Sequence, residues 1–256
     1  MTGRVEFSVS DGIASIVLTR PDKHNAITPD MAHELGRVCR EVDASDGVRV
    51  AVISGAGDKA FSAGSDLNLL ADLSDIWAFR NRVEYAAVVR DIRKPVIAAL
   101  KGWVLGGGME IALAADVRVA GRSTRIGGPE VSRGWVGGGG ASQMLPRLVG
   151  YGQAMRMLLL GEPVDAEAAL RMGLVEEVVD DNQALPRAHE MAAKIASFSP
   201  IATQAVKASV RAAMSMPLEA GLRYENEIHV ICMSAKDRLE GIKAFQEGRK
   251  ATFSGN

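Results

Sequence analysis

An α/β core followed by a helical C-terminal region is the fold class this sequence predicts, on three observations. Short apolar runs rich in Val and Ile alternate with helical stretches as far as residue 179. From Gln183 the strand-like runs stop and the pattern is helical, broken at Ser199-Pro200 and Met216-Pro217. The chain of 256 residues is 47% hydrophobic and 24% charged, enough to bury a substantial core. A soft boundary near Phe198 separates a core (1–198) from a helical region (199–256).

Each element follows from its residues. Val5 to Ser10 and Ile13 to Thr19 flank Asp11-Gly12, the pattern of a β-hairpin with a two-residue turn. Arg20 to Ala26 is a polar loop, and Thr28-Pro29 opens a helix to about Val42. Val48 to Ser54 is a buried strand. Gly55 to Ala60 fits the dinucleotide fingerprint as a bare string, but no helix opens at its end to meet a pyrophosphate, so it reads as a surface loop. Ser65 and Asp66 are placed to cap a short helix over Leu67 to Leu70. Asp75 to Arg93 reads as one partly amphipathic helix, with Arg80, Arg82 and Arg90 on a solvated or interface face. Val96 to Leu100 and Val117 to Ala120 are strands, with a short buried helix, Ile111 to Ala115, between them. Asp116 reads as a hydrogen-bonded structural residue. Ala141 to Val149, Gln153 to Leu160 and Asp165 to Met172 are helical, and Leu174 to Val179 is a strand.

The chemistry concentrates around Gly102 and Gly106-Gly107-Gly108. Glycine lacks a Cβ, so this turn can bring backbone close to a ligand. The helix starting at Gly107–Gly108 turns free N–H groups and a positive dipole end toward any developing anion. Glu110 lies on the same side of that first turn. An anion-stabilising amide beside a carboxylate is a catalytic pairing. The plainer alternative is a glycine turn packed under a helix, with Glu110 favouring the helix start.

The residues Ile97 to Gly102, Gly106 to Gly108, Leu113, Ala115 and Asp116 resemble the signature of the enoyl-CoA hydratase/isomerase (crotonase) family. Phe61-Ser62-Ala63-Gly64-Ser65-Asp66-Leu67 resembles that family's Phe-x-Ala-Gly-x-Asp-Leu segment, and Ile126 to Val131 its Phe-Gly-x-Pro-Glu segment. Leu160 to Val175 and Asp237 to Phe253 extend the likeness over nearly the whole chain. The resemblance implies a crotonase-like spiral of ββα units with a C-terminal helical oligomerisation region. It implies that the Ser65 and Gly107 amides bind a thioester carbonyl as an oxyanion hole and stabilise an enolate. Glu110 would activate water, and Glu130, aimed by Pro129, would carry the proton at C2. The acyl-CoA site would extend to Lys23, Ala26, Ala63, Asp66, Leu67, Trp135 and Lys250. Both glutamates favour a hydratase; an isomerase, a specialised acyl-CoA dehydratase or a non-catalytic acyl-CoA-binding homologue are the alternatives. The resemblance also implies a homotrimer or hexamer, and no cofactor, since coenzyme A is part of the substrate. Three stretches depart from the pattern: Asn68 stands where many hydratases carry Lys, Arg133 to Gly137 replaces Leu-Gly-Ile-Ile-Pro, and Ser142-Gln143-Met144 replaces Thr-Gln-Arg. They put a bulky indole near Glu130 and leave the acyl-chain preference open, with a branched, cyclic or carboxylated acyl group among the choices.

Composition narrows the remaining classes. A net charge of −1 gives no footprint for nucleic acid or an acidic membrane surface. No apolar run approaches the length of a membrane span. Cys39 and Cys232 stand alone, and Met1 to Phe7 lacks the apolar core of a signal peptide, so a reduced cytoplasmic setting is expected. The four histidines lie outside the glycine-rich loops and show no metal-ligand spacing, and no Gly-x-Ser-x-Gly elbow occurs. Gly137 to Gly140 lacks the Lys-Ser/Thr of a phosphate loop.

Overall fold

The computed structural model of the chain describes residues 3–71 and 75–256. Strands β1 (Arg4–Ser10) and β2 (Ile13–Thr19) pair antiparallel with Ser10 opposite Ile13. Asp11 and Gly12 take φ of 51° and 76°, the left-handed pair that matches a tight hairpin to the twist of its strands. Helix α1 (Pro29–Ala44) starts at Thr28, whose hydroxyl accepts from the Met31 N–H at 3.2 Å.

From there the chain winds. Strand β3 (Val50–Gly55) is followed by β4 (Ala60–Ser62), then by helices α2 (Leu67–Ala71), α3 (Ile76–Arg80) and α4 (Tyr85–Arg90). Strand β5 (Val96–Leu100) leads to β6 (Trp103–Leu105) and helix α5 (Gly107–Ala114). Strand β7 (Val117–Gly121) leads to β8 (Arg125–Gly127), a 3₁₀ turn (Pro129–Arg133), α6 (Ala141–Val149) and α7 (Tyr151–Leu160). Strand β9 (Val164–Asp165), α8 (Ala166–Arg171) and β10 (Glu177–Val179) precede α9 (Ala184–Ala196), α10 (Pro200–Ala213), α11 (Leu218–Ser234) and α12 (Lys236–Glu247).

Two sheets result, in the orders β1-β2-β3-β5-β7-β10 and β4-β6-β8-β9. Three successive windings each lay one strand in the larger sheet and the next in the smaller one, then return through helix, which is the expected spiral. The larger sheet is parallel from β2 to β10. Its central strands β3 and β5 are apolar on both faces because both faces are covered. Ala51, Ile53 and Ala98 face the main core with α1, α4 and α5. Val50, Val52, Ile97 and Ala99 face α9, whose Ala188, Ala192 and Ala196 let helix and sheet approach closely.

Two expectations are corrected, and one feature was not foreseen. The single helix over Asp75 to Arg93 is two helices, α3 and α4. Asn81 Nδ2 donates back to Trp77 O at 2.9 Å, and the Glu84 carboxylate accepts from the Ala86 and Ala87 N–H groups, so local polar side chains end one helix and start another. The C-terminal helices divide once more at Ala235, in extended conformation, where the Lys236 N–H donates to Asn256 O at 2.6 Å. The smaller sheet was not anticipated, because strands of two or three residues are too short to show a period of two.

Candidate active site

All the sequence-predicted site residues except Lys250 line one cleft of about 720 Å³, a common size for a small-molecule site. Its floor is built by two loops that touch. In the first, buried Asn25 takes φ 52° and fastens the Arg20–Ala26 loop to the chain beyond β3. Its Nδ2 donates to Ala56 O and Ala60 O, and its Oδ1 accepts from the Arg20 N–H. The Ser62 hydroxyl donates to Asn25 O at 2.8 Å and accepts from the Gly64 N–H at 3.1 Å. Gly64 takes φ +84°, and a Cβ there would stand 2.7 Å from Gly107 N, so only glycine lets this loop lie against the start of α5. Ser65 is thereby set beside Gly107. Among the described residues, neither the Ser65 nor the Gly107 N–H has a main-chain or side-chain acceptor, and both residues line the cleft.

The residues that the resemblance adds fall into two groups. Lys23, Ala26, Ala63, Asp66, Leu67 and Trp135 line the same cleft. Asp66 also has structural work: Oδ1 accepts from the Asn68 N–H at 3.1 Å, and Oδ2 pairs with Arg20 at 2.7 Å, which holds the carboxyl below the usual carboxylate range. Lys250 does not line it. The tail after α12 is tied back onto its own chain: Arg249 pairs with Glu240 and Glu247, Arg49 donates to Phe253 O, and Asp237 accepts from the Ser254 and Gly255 N–H groups. Within one chain, Lys250 stays away from the cleft and Arg249 is engaged.

Glu110 is the single charged residue of the wholly buried α5, at 4% exposure. Its Oε1 accepts from the Gly139 N–H at 2.7 Å and the Ala141 N–H at 3.2 Å. Gly137 to Gly140 is thus a sleeve around this carboxylate. Cβ atoms at Gly137 and Gly139 would lie 2.8 Å from Oε1 and 2.5 Å from Oε2. Burial pushes the Glu110 carboxyl above its ordinary range; the two N–H donors oppose this, and the charges of Glu130 and Glu84 add to it. Glu130 begins the 3₁₀ turn behind Pro129 and is half-buried. Burial raises its carboxyl too, against its own backbone hydrogen bond and the charge of Arg133. Two carboxylates in one cleft, each disfavoured as the anion, are suited to holding and moving a proton.

Sequence reasoning missed several lining residues. Tyr85 is buried, with its hydroxyl 2.8 Å from Ser65 Oγ and packed against Gly107 where a Cβ would otherwise stand. Burial pushes its phenol up to about 12. An aromatic with a polar tip in an Ala/Val helix was the available signal. Arg82, expected on a solvated or interface face of a segment that the resemblance sets along the acyl pocket, lines the cleft beside Phe79, as does His24. Glu84 lies near Glu110: both carboxylates come within 2.7 Å of the point a Gly139 Cβ would occupy.

Comparison with known proteins gives the family. The family model described as enoyl-CoA hydratase/isomerase matches residues 8–256. An (E)-benzylidenesuccinyl-CoA hydratase from Thauera aromatica is 36% identical over 98% of this chain and 99% of its own. A crotonyl-CoA hydratase from Syntrophomonas wolfei is 34% identical over 94% of each chain. A crystal structure of an enoyl-CoA hydratase from Bacillus anthracis superposes with a TM-score of 0.94 at 33% identity, covering 100% of both chains.

Proposed function

The chain belongs to the enoyl-CoA hydratase/isomerase family, and from that premise we propose that it is a hydro-lyase that adds water across the 2,3 double bond of a 2-enoyl-CoA thioester. The observation that carries this reading is the meeting of two acceptor-free amides and two carboxyl groups, each raised above its ordinary range by burial, in one cleft. The thioester oxygen accepts from the Ser65 and Gly107 N–H groups. Negative charge that builds on this oxygen as the enolate forms is stabilised there, each donor contributing about 3–4 kcal/mol to the barrier reduction. Glu110, fixed by its sleeve, takes a proton from the water that attacks C3. Glu130 delivers a proton to C2 on the same face, giving syn addition, and proton exchange between the two acids restores the start.

Assembly belongs to the same proposal. Helices α10 to α12 expose Val206, Val210, Leu218, Ile231, Leu239 and Phe245, the last at 88%, which suits burial against further copies in a homotrimer or a hexamer. In that arrangement residues 199–256 act as the oligomerisation region, and Lys250 would reach a CoA phosphate only on a neighbouring copy. Mass photometry should report trimers or hexamers. No helix among the described residues is long and apolar enough to cross a membrane.

Crotonyl-CoA tests the reaction. Its conjugated-thioester absorbance should bleach on addition of the protein, and Glu130→Gln should cut turnover by about 10²–10⁴-fold while butyryl-CoA binding persists. No bleaching over a panel of straight and branched 2-enoyl-CoAs would sink the hydratase reading. Unchanged turnover in Glu130→Gln would show that the acid is another group.

A further inference from the structure

The hydration chemistry gives no task to the cations that line the cleft, and among them Arg82 is fixed in place. Arg82 lies in the break between α3 and α4, and its side chain is held from two directions. Nη1 donates to Phe79 O at 2.9 Å, and the guanidinium carbon stands 4.1 Å from the centroid of the Phe79 ring. Stacking and a main-chain anchor hold the planar fork in place and leave most of its five N–H donors unused. Among the described residues, no carboxylate oxygen lies within 4.0 Å of it, whereas Arg20, Arg118 and Arg249 are each paired. The nearby Glu84 carboxylate accepts from the Ala86 and Ala87 N–H groups and lies beyond ion-pair distance of Arg82.

The position of this fork along the cleft is informative. Arg82 Nη2 would be 3.2 Å from a Cβ on Gly138, between Gly137 and Gly139, the two glycines that grip Glu110. Consecutive Cα atoms are about 3.8 Å apart, so Arg82 borders the loop within a residue's step of the group that holds water at C3. Lys23 and His24, the other candidate anion contacts, belong to a separate element, the Arg20–Ala26 loop. Arg133, the remaining lining arginine, faces Glu130 and offsets its raised carboxyl. An acyl chain that continues past C3 and turns away from Arg133 and Glu130 therefore meets the Arg82 guanidinium, which attracts an anion.

We propose that Arg82 selects acyl groups carrying a second carboxylate beyond C3, which makes the preferred substrates CoA monothioesters of unsaturated dicarboxylic acids. This rests on the hydratase reading, since that reading places the thioester at Ser65 and Gly107 and C3 at Glu110. A bidentate guanidinium–carboxylate pair supplies the discrimination, because an uncharged chain end leaves the fork unmatched and a carboxylate fills it.

Isothermal titration with two saturated, unreactive thioesters of equal length decides the matter: the CoA monothioester of hexanedioic acid and hexanoyl-CoA. The native protein should bind the carboxylated ester about 10- to 100-fold more tightly. Arg82→Leu should remove most of that preference, and Arg82→Lys should keep part of it. Equal affinities in the native protein would overturn the proposal. So would Arg82→Leu weakening both esters alike, which would make the guanidinium a contact for the CoA phosphates. Crotonyl-CoA turnover by the same preparation reads the hydratase assignment separately: turnover with no carboxylate preference sinks this inference alone, and a preference without turnover of any 2-enoyl ester sinks the hydratase reading alone.

Discussion

Gly139→Ala should disable the proposed reaction while leaving every reacting group in the chain. Gly139 lies outside the left-handed region, so the added methyl is the whole perturbation. That methyl carbon would stand 2.5 Å from Glu110 Oε2 and 2.7 Å from Glu84 Oε1, where ordinary contact begins near 3.4 Å. One or both carboxylates must retreat by about 1 Å, and a misplacement of that size costs roughly 10²-fold in rate. Glu110 has little room to move, being 4% exposed with Gly137 on its other side. Glu84 is fixed by the two N–H groups it caps. Part of the strain falls on the loop, at about 1–3 kcal/mol of stability. Initial rates of crotonyl-CoA bleaching, with butyryl-CoA affinity and thermal midpoint measured beside them, separate the effects. Turnover should fall about 100-fold while the chain stays folded and still binds the saturated thioester. Gly152→Ala is the control: it lies in α7 with nothing within 4 Å of its Cβ position, so turnover should persist and the midpoint rise slightly. A folded Gly139→Ala protein with turnover within about twofold of native would refute the assignment of Glu110 as the acid gripped by this loop.

Two further predictions concern stability and pH. The Glu110 carboxyl is raised above its ordinary 4.5, so between those values the folded chain holds a proton that the unfolded chain has released. Its contribution therefore favours folding least above the raised value and costs nothing below pH 4.5. Glu110→Gln keeps an acceptor for the Gly139 and Ala141 N–H groups, so its stability advantage in urea titrations should appear as pH rises through the acid range and then level off; an advantage independent of pH would contradict the burial account. Lys207, on α10, donates to Lys94 O and pairs with Asp116 at 2.7 Å, yet desolvation outweighs that pair and lowers its amine from 10.5 to about 8. The folded chain sheds this proton first, so the group's contribution to stability grows with pH between about 8 and 10.5. The stability difference between native and Lys207→Met proteins should shift in favour of native by roughly 2–3 kcal/mol from pH 7 to pH 10. A flat difference would place Lys207 in contact with water.

Much of this protein could be read from neighbouring residues. The Asp11-Gly12 turn, the Thr28 cap, the buried β3 and β5, and the glycine turn that opens α5 at Glu110 are all encoded within a few positions of one another. Pro129-Glu130 was legible for the same reason. The break at Asn81–Glu84 was not, because two capping side chains there compete with an otherwise acceptable helix period. Nor did the sequence indicate what Gly137 to Gly140 surrounds, since the carboxylate in that sleeve lies about thirty residues earlier in the chain.

Local pattern by itself indicated the α/β class and the helical ending, and the family likeness singled out the two glutamates. Tertiary structure alone decided how the Gly64 turn sets Ser65 beside Gly107, that Glu110 is wrapped by Gly137 to Gly140, that Tyr85 and Arg82 line the cleft, and that Lys250 does not reach it within one chain. The physical reason is range. Turn, cap and strand preferences act over a few covalent bonds, whereas a cleft is made by segments whose meeting depends on how two sheets and their helices close around a shared core.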